Sequence, residues 1–231
     1  TLNQWSIKPA LAKRLSEAGA YIIDWLTELG NEFPPELVME SGVGGRPRGH
    51  QALGSGYGIV QSLINAVGAL GVEVALGSRV SDLLVEDGRV VGIRSGEVDL
   101  RAHAVIITTG GFANNPAMVK RLWPTAAAHG TRLTSFYAES PFNMGDGILL
   151  GERAGANITG IDNGLLVPSP NFLPDLSYTL PEWAMVVNRD GKRFITENAS
   201  YAVCGYLVNE QPEMRCFAIF DEPALEEACA D

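Results

Sequence analysis

The first candidate for ligand chemistry is the tripeptide Thr109-Gly110-Gly111, which stands near the end of the apolar run 104–112. Residues without side chains at the carboxyl end of a buried parallel strand let the phosphates or sugar of a ligand approach the backbone closely. The same tripeptide can also form a tight turn that binds nothing. The sequence therefore indicates either a turn beside a nucleotide or a turn without a ligand.

A second candidate is Asp146, which lies between Gly145 and Gly147 before a predicted helix over 148–154. A carboxylate at this place can accept hydrogen bonds from the free amides of the first helical turn. It can also accept a hydrogen bond from a ligand hydroxyl or amide. The two roles are compatible, so the pattern predicts a helix cap, a ligand contact or both.

A third segment, VVNRDGKRFITENASY over 186–201, predicts a hairpin. Asp190-Gly191 favours a tight turn because glycine accepts the positive φ that such a turn requires. Lys192 and Arg193 are expected to be structural, with Arg193 pairing with a neighbouring carboxylate such as Glu197. The hairpin is thus expected to hold the residues that follow it in place.

Helical periodicity precedes these segments. Apolar residues recur at helical spacing over 9–30 and again over 57–70, and Gly30 and Gly71 are natural stop signals. A loop rich in glycine, proline and arginine, 41–56, separates the two patterns. The first part of the chain is therefore predicted to contain two amphipathic helices.

Strand patterns follow the helices. Strands are predicted over 72–76, over both arms of a hairpin at 80–94, over 98–102 and over 104–112. The hairpin turns at Asp87-Gly88. The continuous hydrophobicity of 104–112 indicates a strand buried on both faces, as in a parallel sheet. This order of elements predicts an α/β nucleotide-binding domain.

The composition argues against several classes of function. The formal net charge is -10, and lysine and arginine form no dense run, which argues against nucleic acid as a partner. No apolar stretch reaches the roughly 20 residues needed to span a membrane. The 3 cysteines, without a secretory leader, predict reduced thiols and a cytoplasmic location.

Taken together, the segments resemble the middle of an FAD-dependent flavoprotein of the fumarate reductase, succinate dehydrogenase and 3-ketosteroid dehydrogenase superfamily. The matching pieces, in order, are DWLTELG (24–30), GGRPRGHQALGSGYGIVQSL (44–63), GVEVALGSRVSDLLVEDGRVVGI (71–93), AVIITTGGFANN (104–115), NMGDGILLGERAGA (143–156) and VVNRDGKRFITEN (186–198). The resemblance implies part of a Rossmann-like FAD-binding domain with an antiparallel insertion over 1–160. It implies the first part of an α+β substrate-capping domain over 161–231.

The resemblance also implies which residues meet FAD. In such flavoproteins the backbone matching Val80 touches the adenine portion, the residues matching Thr109, Gly110 and Gly111 lie beside the cofactor, and the aspartate matching Asp146 sits near the flavin. No Gly-x-Gly-x-x-Gly fingerprint follows a strand near the start of the sequence. We therefore expect a central fragment that by itself binds FAD poorly and turns over nothing.

The residue after the hairpin distinguishes two branches of the superfamily. Fumarate reductases have a proton-delivering arginine where this sequence has Tyr201, and their glutamate and arginine relay finds no counterpart in 176–185. The expected substrate histidine is Val167. A tyrosine is similar to the ketosteroid dehydrogenases, in which a phenolic oxygen removes a proton while hydride passes to the flavin. Tyr201 is thus the candidate catalytic residue, and its alternative role is packing the hairpin.

A polycarboxylate dehydrogenase of the tricarballylate type is a second relative, which the segments 138–147 and 205–222 resemble. Oxidation of a polycarboxylate requires side chains that clamp carboxylates, and arginine does so with a forked geometry. Arg46, Arg48 and His50 are the best candidates for this role. The alternative is a solvated basic loop.

The resulting hypothesis is an FAD-dependent oxidoreductase that acts on a carbon-carbon bond beside a carbonyl or carboxylate of a small molecule. Its electron partner is not identified by the sequence. The alternatives are a polycarboxylate dehydrogenase and a non-catalytic binding module that keeps the fold.

Overall fold

The structure is a computed structural model, and it describes residues 8–40, 47–129, 142–168, 184–197 and 199–223. The chain divides into two compact units, Thr1–Leu76 and Gly77–Asp231. Helices and antiparallel strands are mixed in both. In the described parts of the chain, no helix combines the length and apolar character needed to cross a membrane.

The first unit contains the two predicted helices. Its elements are α1 (Pro9–Glu28), a 3-10 turn (Pro35–Leu37), β1 (Val38–Glu40), β2 (Pro47–His50) and α2 (Ser55–Ala69). Gly30 has a φ of +94° where α1 ends, which confirms the predicted stop. The buried Asn31 side chain donates to Leu26 O at 2.9 Å and to Ser62 Oγ at 2.6 Å, so the end of α1 is tied to α2.

Two strand assignments in the first unit need correction. The antiparallel pair β1 and β2 lies partly within the predicted loop 41–56. The predicted strand at 72–76 is wrong, because this segment is irregular and exposed, with Leu76 exposed over 89% of its surface. Apolar alternation shows that a segment suits a sheet, but a strand also needs a hydrogen-bonded neighbour. The described residues pair no strand with 72–76.

The second unit begins with a three-stranded antiparallel sheet. The elements of this unit are β3 (Val80–Glu86), β4 (Arg89–Ser95), β5 (Val98–Arg101), α3 (Pro116–Leu122), α4 (Pro124–Ala127), α5 (Asp146–Arg153), β6 (Met185–Asn188), α6 (Tyr201–Asn209), a 3-10 turn (Pro212–Met214) and β7 (Cys216–Ile219). Asp87 and Gly88 connect β3 to β4 with positive φ of 49° and 75°, as a two-residue hairpin requires. The predicted hairpin and its third arm are confirmed.

The segment 104–112 differs most from its prediction. It belongs to no strand in the described residues, and Ile106 is exposed over 87% of its surface. The predicted strand buried on both faces is therefore wrong. Part of the segment packs instead against α5, where a side chain at Gly147 would lie 2.4 Å from Ile107 Cγ2 and 2.3 Å from Thr109 Oγ1. A continuous apolar run shows that the residues are suited to burial. Whether they are buried between two layers depends on neighbours that are remote in sequence.

The end of the second unit has its own small core. Val186, Ile195 and Cys204 are buried together, and Phe194, Leu207 and Cys216 pack around them. Strand β6 pairs with β7. Burial raises the pKa of the Cys204 and Cys216 thiols, while Cys229 lies outside the described residues.

The predicted hairpin is confirmed at its turn but not along its second arm. Gly191 has a φ of +72°, and its amide donates to Asn188 O at 3.0 Å. In the described residues, the two arms are joined by the Asn188 amide, which donates to Lys192 O at 2.9 Å, and by an isolated bridge between Val187 and Arg193. A full second strand does not form because the Glu197 carboxylate accepts the Val186 amide at 2.9 Å. The Glu197 side chain thus accepts the hydrogen bond that a backbone carbonyl of a second strand would otherwise accept.

Candidate functional site

The two glycine-containing segments lie side by side. The Gly145 amide donates to Gly111 O at 2.9 Å, and the Gly111 amide donates to Asn143 Oδ1 at 3.2 Å. We call Thr109, Gly110, Gly111, Asn143, Gly145 and Asp146 the glycine cluster. The structure therefore brings together residues that are more than thirty positions apart in sequence.

The two glycines of the turn differ in the space around them. Gly110 has a φ of +77°, and a side chain there would meet Asn143 Oδ1 at 2.9 Å. Among the described residues, a side chain at Gly111 would meet no atom within 4 Å. The turn is therefore not filled by bulky neighbours. Backbone beside open space is what a close-approaching cofactor needs.

The start of α5 is capped differently from the prediction. Gly145, with a φ of +81°, is the N-cap and makes no side-chain cap. The Thr109 hydroxyl, from the neighbouring segment, accepts the Gly147 amide at 3.0 Å. Asp146 is thus not the helix cap, because it is the first residue within the helix and Thr109 takes the amide of the next residue.

The Asp146 carboxylate is bound to Arg79 instead. Arg79 Nη2 lies 3.0 Å from Asp146 Oδ1 and 3.1 Å from Oδ2. At the other end of α5, Arg153 donates to Ser81 O at 2.6 Å. Both ends of the helix are therefore attached to the beginning of β3, beside Val80. The five predicted cofactor residues lie in or next to one cluster.

The cluster has groups that fit FAD. The Asp146 carboxylate, whose side chain is exposed over 38% of its surface, can accept from a sugar hydroxyl. The space at Gly111 admits a group close to the backbone. The guanidinium of Arg79 is of the type that pairs with phosphate. These residues can therefore hold a dinucleotide, and no metal is implied.

The predicted substrate residues belong to the first unit. His50 ends β2, and its Nδ1 lies 3.1 Å from Arg48 O. The lining of a cavity of about 330 Å³ includes the polar residues His50, Gln51 and Ser55 and the apolar residues Met39, Ala52 and Ile59. Arg48 is exposed on the same strand, and Arg46 lies outside the described residues. Substrate binding by these three residues stays a prediction.

Tyr201 is the first residue of α6. One turn further along this helix, a side chain at Gly205 would lie 1.9 Å from Leu166 O and 3.1 Å from Val167 N. The backbone at 166–167 therefore packs closely against α6. Val167 is the position that the superfamily resemblance links to a substrate histidine. Tyr201 and Val167 are thus on adjoining segments, and the catalytic role of Tyr201 stays a prediction.

The predicted pair of Arg193 and Glu197 fixes the segment before α6. Arg193 donates to Glu197 from Nε at 3.2 Å and from Nη2 at 2.5 Å, which confirms the expected pair. The Glu197 side chain is exposed over only 6% of its surface. Hydrogen bonds from the Arg193 guanidinium, and next from the Val186 amide, lower the pKa of Glu197 to about 2.

Sequence reasoning missed two members of the site. Asn143 adopts a positive φ of 58°, and asparagine directly before Met144-Gly145 is a recognisable signal for this conformation. Arg79 offers no such signal, because a single arginine before a strand is usually a solvated surface residue. Its pairing with Asp146 spans 67 residues.

The chain matches the family model described as FAD binding domain over residues 4–215. Since the match covers most of the 231 residues, the chain belongs to this FAD-binding family. FAD is the cofactor of the family, as the resemblance implied. The predicted fold, part of a mixed helix-and-sheet FAD-binding domain, is confirmed.

Similar proteins come from both predicted branches. The chain is 32% identical over 214 residues to the NADH:acrylate oxidoreductase of Vibrio harveyi, covering 86% of this chain and 20% of that protein. It is 28% identical over 227 residues to the NADH:fumarate oxidoreductase of Klebsiella pneumoniae, covering 93% and 24%. The structure of a 3-ketosteroid-Δ4-(5α)-dehydrogenase from Rhodococcus jostii, in complex with 4-androstene-3,17-dione, matches with a TM-score of 0.73 at 25% identity, covering 93% and 50%. The chain thus spans half or less of these relatives.

Proposed function

We propose that this chain serves an FAD-dependent oxidoreductase that acts on a carbon-carbon bond next to a carbonyl or carboxylate. The observation that carries the proposal is the shared chemistry of the similar proteins. Acrylate, fumarate and 4-androstene-3,17-dione, named for three of them, each contain a double bond conjugated to a carbonyl or carboxylate. Such a bond is formed or reduced by moving one hydride and one proton.

The glycine cluster is proposed to hold the cofactor. Asp146 accepts from a cofactor hydroxyl, Gly111 leaves room for close approach, and Val80 lies beside the adenine portion. The open space at Gly111 and the exposure of Asp146 support this assignment. Bound FAD supplies the acceptor or donor for the hydride.

Tyr201 is proposed to handle the proton. A carbonyl acidifies the hydrogen on the neighbouring carbon, and a phenolic oxygen in reach can remove it as a general base. A phenol has an ordinary pKa of about 10, so the site must favour the phenolate or share the proton with a hydrogen-bonding neighbour. The position at the start of α6, one turn from the contact with Val167, supports this role.

The same positions favour a carbonyl substrate over a dicarboxylate. Where fumarate reductases are expected to present an arginine and a histidine, this chain has Tyr201 and Val167. A phenol and an isopropyl group provide no positive charge for a second carboxylate. A ketone or enone is therefore the first substrate class to test.

A polycarboxylate substrate is the second candidate. His50 lines a cavity of about 330 Å³, and Arg48 lies on the same strand. This size lies within the range of small-molecule sites, roughly 300 to 1,000 Å³.

We place the substrate-capping domain from residue 161 onward and the enzyme in the cytoplasm, both on sequence grounds.

The test uses the protein from the full reading frame that contains this chain. Its visible spectrum is recorded in the oxidised state with candidate saturated ketones and polycarboxylates, and after reduction with enones and fumarate. Bleaching by a ketone, or reoxidation by an enone, is expected. A protein that binds FAD but exchanges electrons with none of these compounds would contradict the proposal.

The tyrosine is tested by Tyr201→Phe, with Tyr206→Phe on the same helix as the matched control. Loss of a general base is expected to slow flavin reduction by roughly 10²-fold or more. The Tyr206→Phe protein is expected to react at the normal rate. A normal rate for Tyr201→Phe, measured by stopped-flow absorbance, would remove Tyr201 from the mechanism.

A further inference from the structure

The pairing of Arg79 with Asp146 is the feature that the proposed function leaves unexplained. One terminal nitrogen of Arg79 contacts both carboxylate oxygens, at 3.0 Å and 3.1 Å. The Arg79 side chain is exposed over 79% of its surface and the Asp146 side chain over 38%. Ion pairs this exposed contribute little to folding stability. Folding stability therefore gives little reason for the pair, and its distinguishing feature is that Asp146 belongs to the glycine cluster.

The charges around the cluster indicate a role for the pair of Arg79 and Asp146 in ligand binding. FAD brings two phosphate charges, and a carboxylate placed to accept from one of its hydroxyls also repels those phosphates. The nearby carboxylate of Asp82 is already paired with Arg153 at 3.5 Å. Arg79 neutralises Asp146 in the same way. The whole chain carries a net charge of -10, so its overall charge does not attract an anionic ligand.

We propose that Arg79 is a positioning residue for FAD: it orients the Asp146 carboxylate and cancels its charge, so that this carboxylate accepts a cofactor hydroxyl without repelling the phosphates. The inference rests on the proposed contact between Asp146 and FAD. It assigns a role to a residue that neither the motif nor the resemblance identified.

The test is a double-mutant cycle on FAD affinity in the protein from the full reading frame. The variants are Arg79→Gln, Asp146→Asn and the two together, and FAD is titrated into apoprotein while flavin fluorescence is followed. Arg79→Gln is expected to raise the Kd by about tenfold at low ionic strength, and by much less at about 1 M salt, where charges are screened. In the Asp146→Asn background, the same change is expected to raise the Kd less than about twofold.

Two further variants separate this role from a structural one. Arg79→Lys keeps the charge and is expected to recover most of the affinity. Arg94→Gln breaks the similarly exposed pair with Asp99 on the same sheet, removes the same charge, and is expected to leave the Kd unchanged. The thermal midpoint of Arg79→Gln is expected to match that of the unsubstituted protein.

The outcomes distinguish the inference from the function on which it rests. If Asp146→Asn weakens FAD binding and Arg79→Gln does not, the role of Arg79 is wrong and the proposed site stands. If neither substitution changes the Kd, the contact between Asp146 and FAD fails and the inference fails with it. An equal loss from Arg79→Gln in both backgrounds would show that Arg79 does not act through Asp146.

Discussion

The glycine cluster and the hairpin before α6 are built in opposite ways within the same unit. In the hairpin, Glu197 is almost fully buried, and both its oxygens accept from groups of the same segment. In the cluster, Asp146 is over a third exposed, and Gly111 faces open space. The hairpin is completed by its own side chains. The cluster retains exposed polar groups and open space. We therefore interpret the hairpin as a structural support and the cluster as a binding site.

The largest effect is expected from filling the contact between α5 and the segment that contains Thr109. Gly147→Ala places a methyl group 2.3 Å from Thr109 Oγ1 and 2.4 Å from Ile107 Cγ2. The helix or the two side chains must then shift, at a cost of roughly 1–3 kcal/mol in the free energy of unfolding. We expect FAD binding to fall with it by more than tenfold. Chemical denaturation and FAD titration measure the two effects.

Gly151→Ala is the matched control, since it lies one turn further along the same helix. Within the described residues, a methyl group there would meet Ala156 Cβ alone, at an ordinary 3.6 Å. Alanine in place of a helical glycine is expected to stabilise the protein by about 0.5–1 kcal/mol. If both variants bind FAD equally well, the packing of α5 does not shape the cluster.

A smaller effect is expected at the hairpin, where pH is the variable. The pKa of Glu197 is lowered from its ordinary value of 4.5 to about 2 in the folded protein. A depressed carboxyl pKa contributes stability above the unfolded value and loses it as the pH falls from about 4.5 towards 2. Glu197→Gln is therefore expected to lower the thermal midpoint near neutral pH and to flatten its fall over this acidic window.

The matched control for Glu197 is Glu210→Gln, which removes an exposed carboxylate at the end of α6. This variant is expected to keep the full acid dependence of the thermal midpoint. FAD affinity near neutral pH is expected to stay within about twofold in both folded variants, because the hairpin supports and does not form the cofactor site. The same acid dependence in Glu197→Gln as in the unsubstituted protein would contradict this assignment.

Turns, helix ends and short-range ion pairs could be predicted from the sequence, because residues close together in the chain determine them. The turn at Asp87-Gly88, the stop at Gly30 and the pair of Arg193 with Glu197 each involve residues close in sequence. Their geometry follows from backbone preference and short spacing. These features were therefore predictable, and the order of motifs was enough to identify the family.

Features that depend on distant partners were not readable in this way. Ile106 lies in a run as apolar as any buried strand, yet it is exposed because no described strand pairs with its segment. Thr109, and not Asp146, accepts the amide of Gly147, the second residue of α5, because the fold brings a remote hydroxyl close to it. The pair of Arg79 with Asp146 joins residues 67 positions apart. A single sequence contains no record of such approaches.

The central claim, that the open space of the glycine cluster is shaped for FAD, is tested most directly by Gly111→Ala. The added methyl group meets no atom within 4 Å in the part of the chain that the structure describes, so the free energy of unfolding is expected to change by less than about 0.5 kcal/mol. The methyl group occupies the space assigned to the cofactor, so the Kd for FAD is expected to rise by about tenfold or more. A Gly111→Ala protein that folds normally and binds FAD as tightly as the unsubstituted protein would contradict the account.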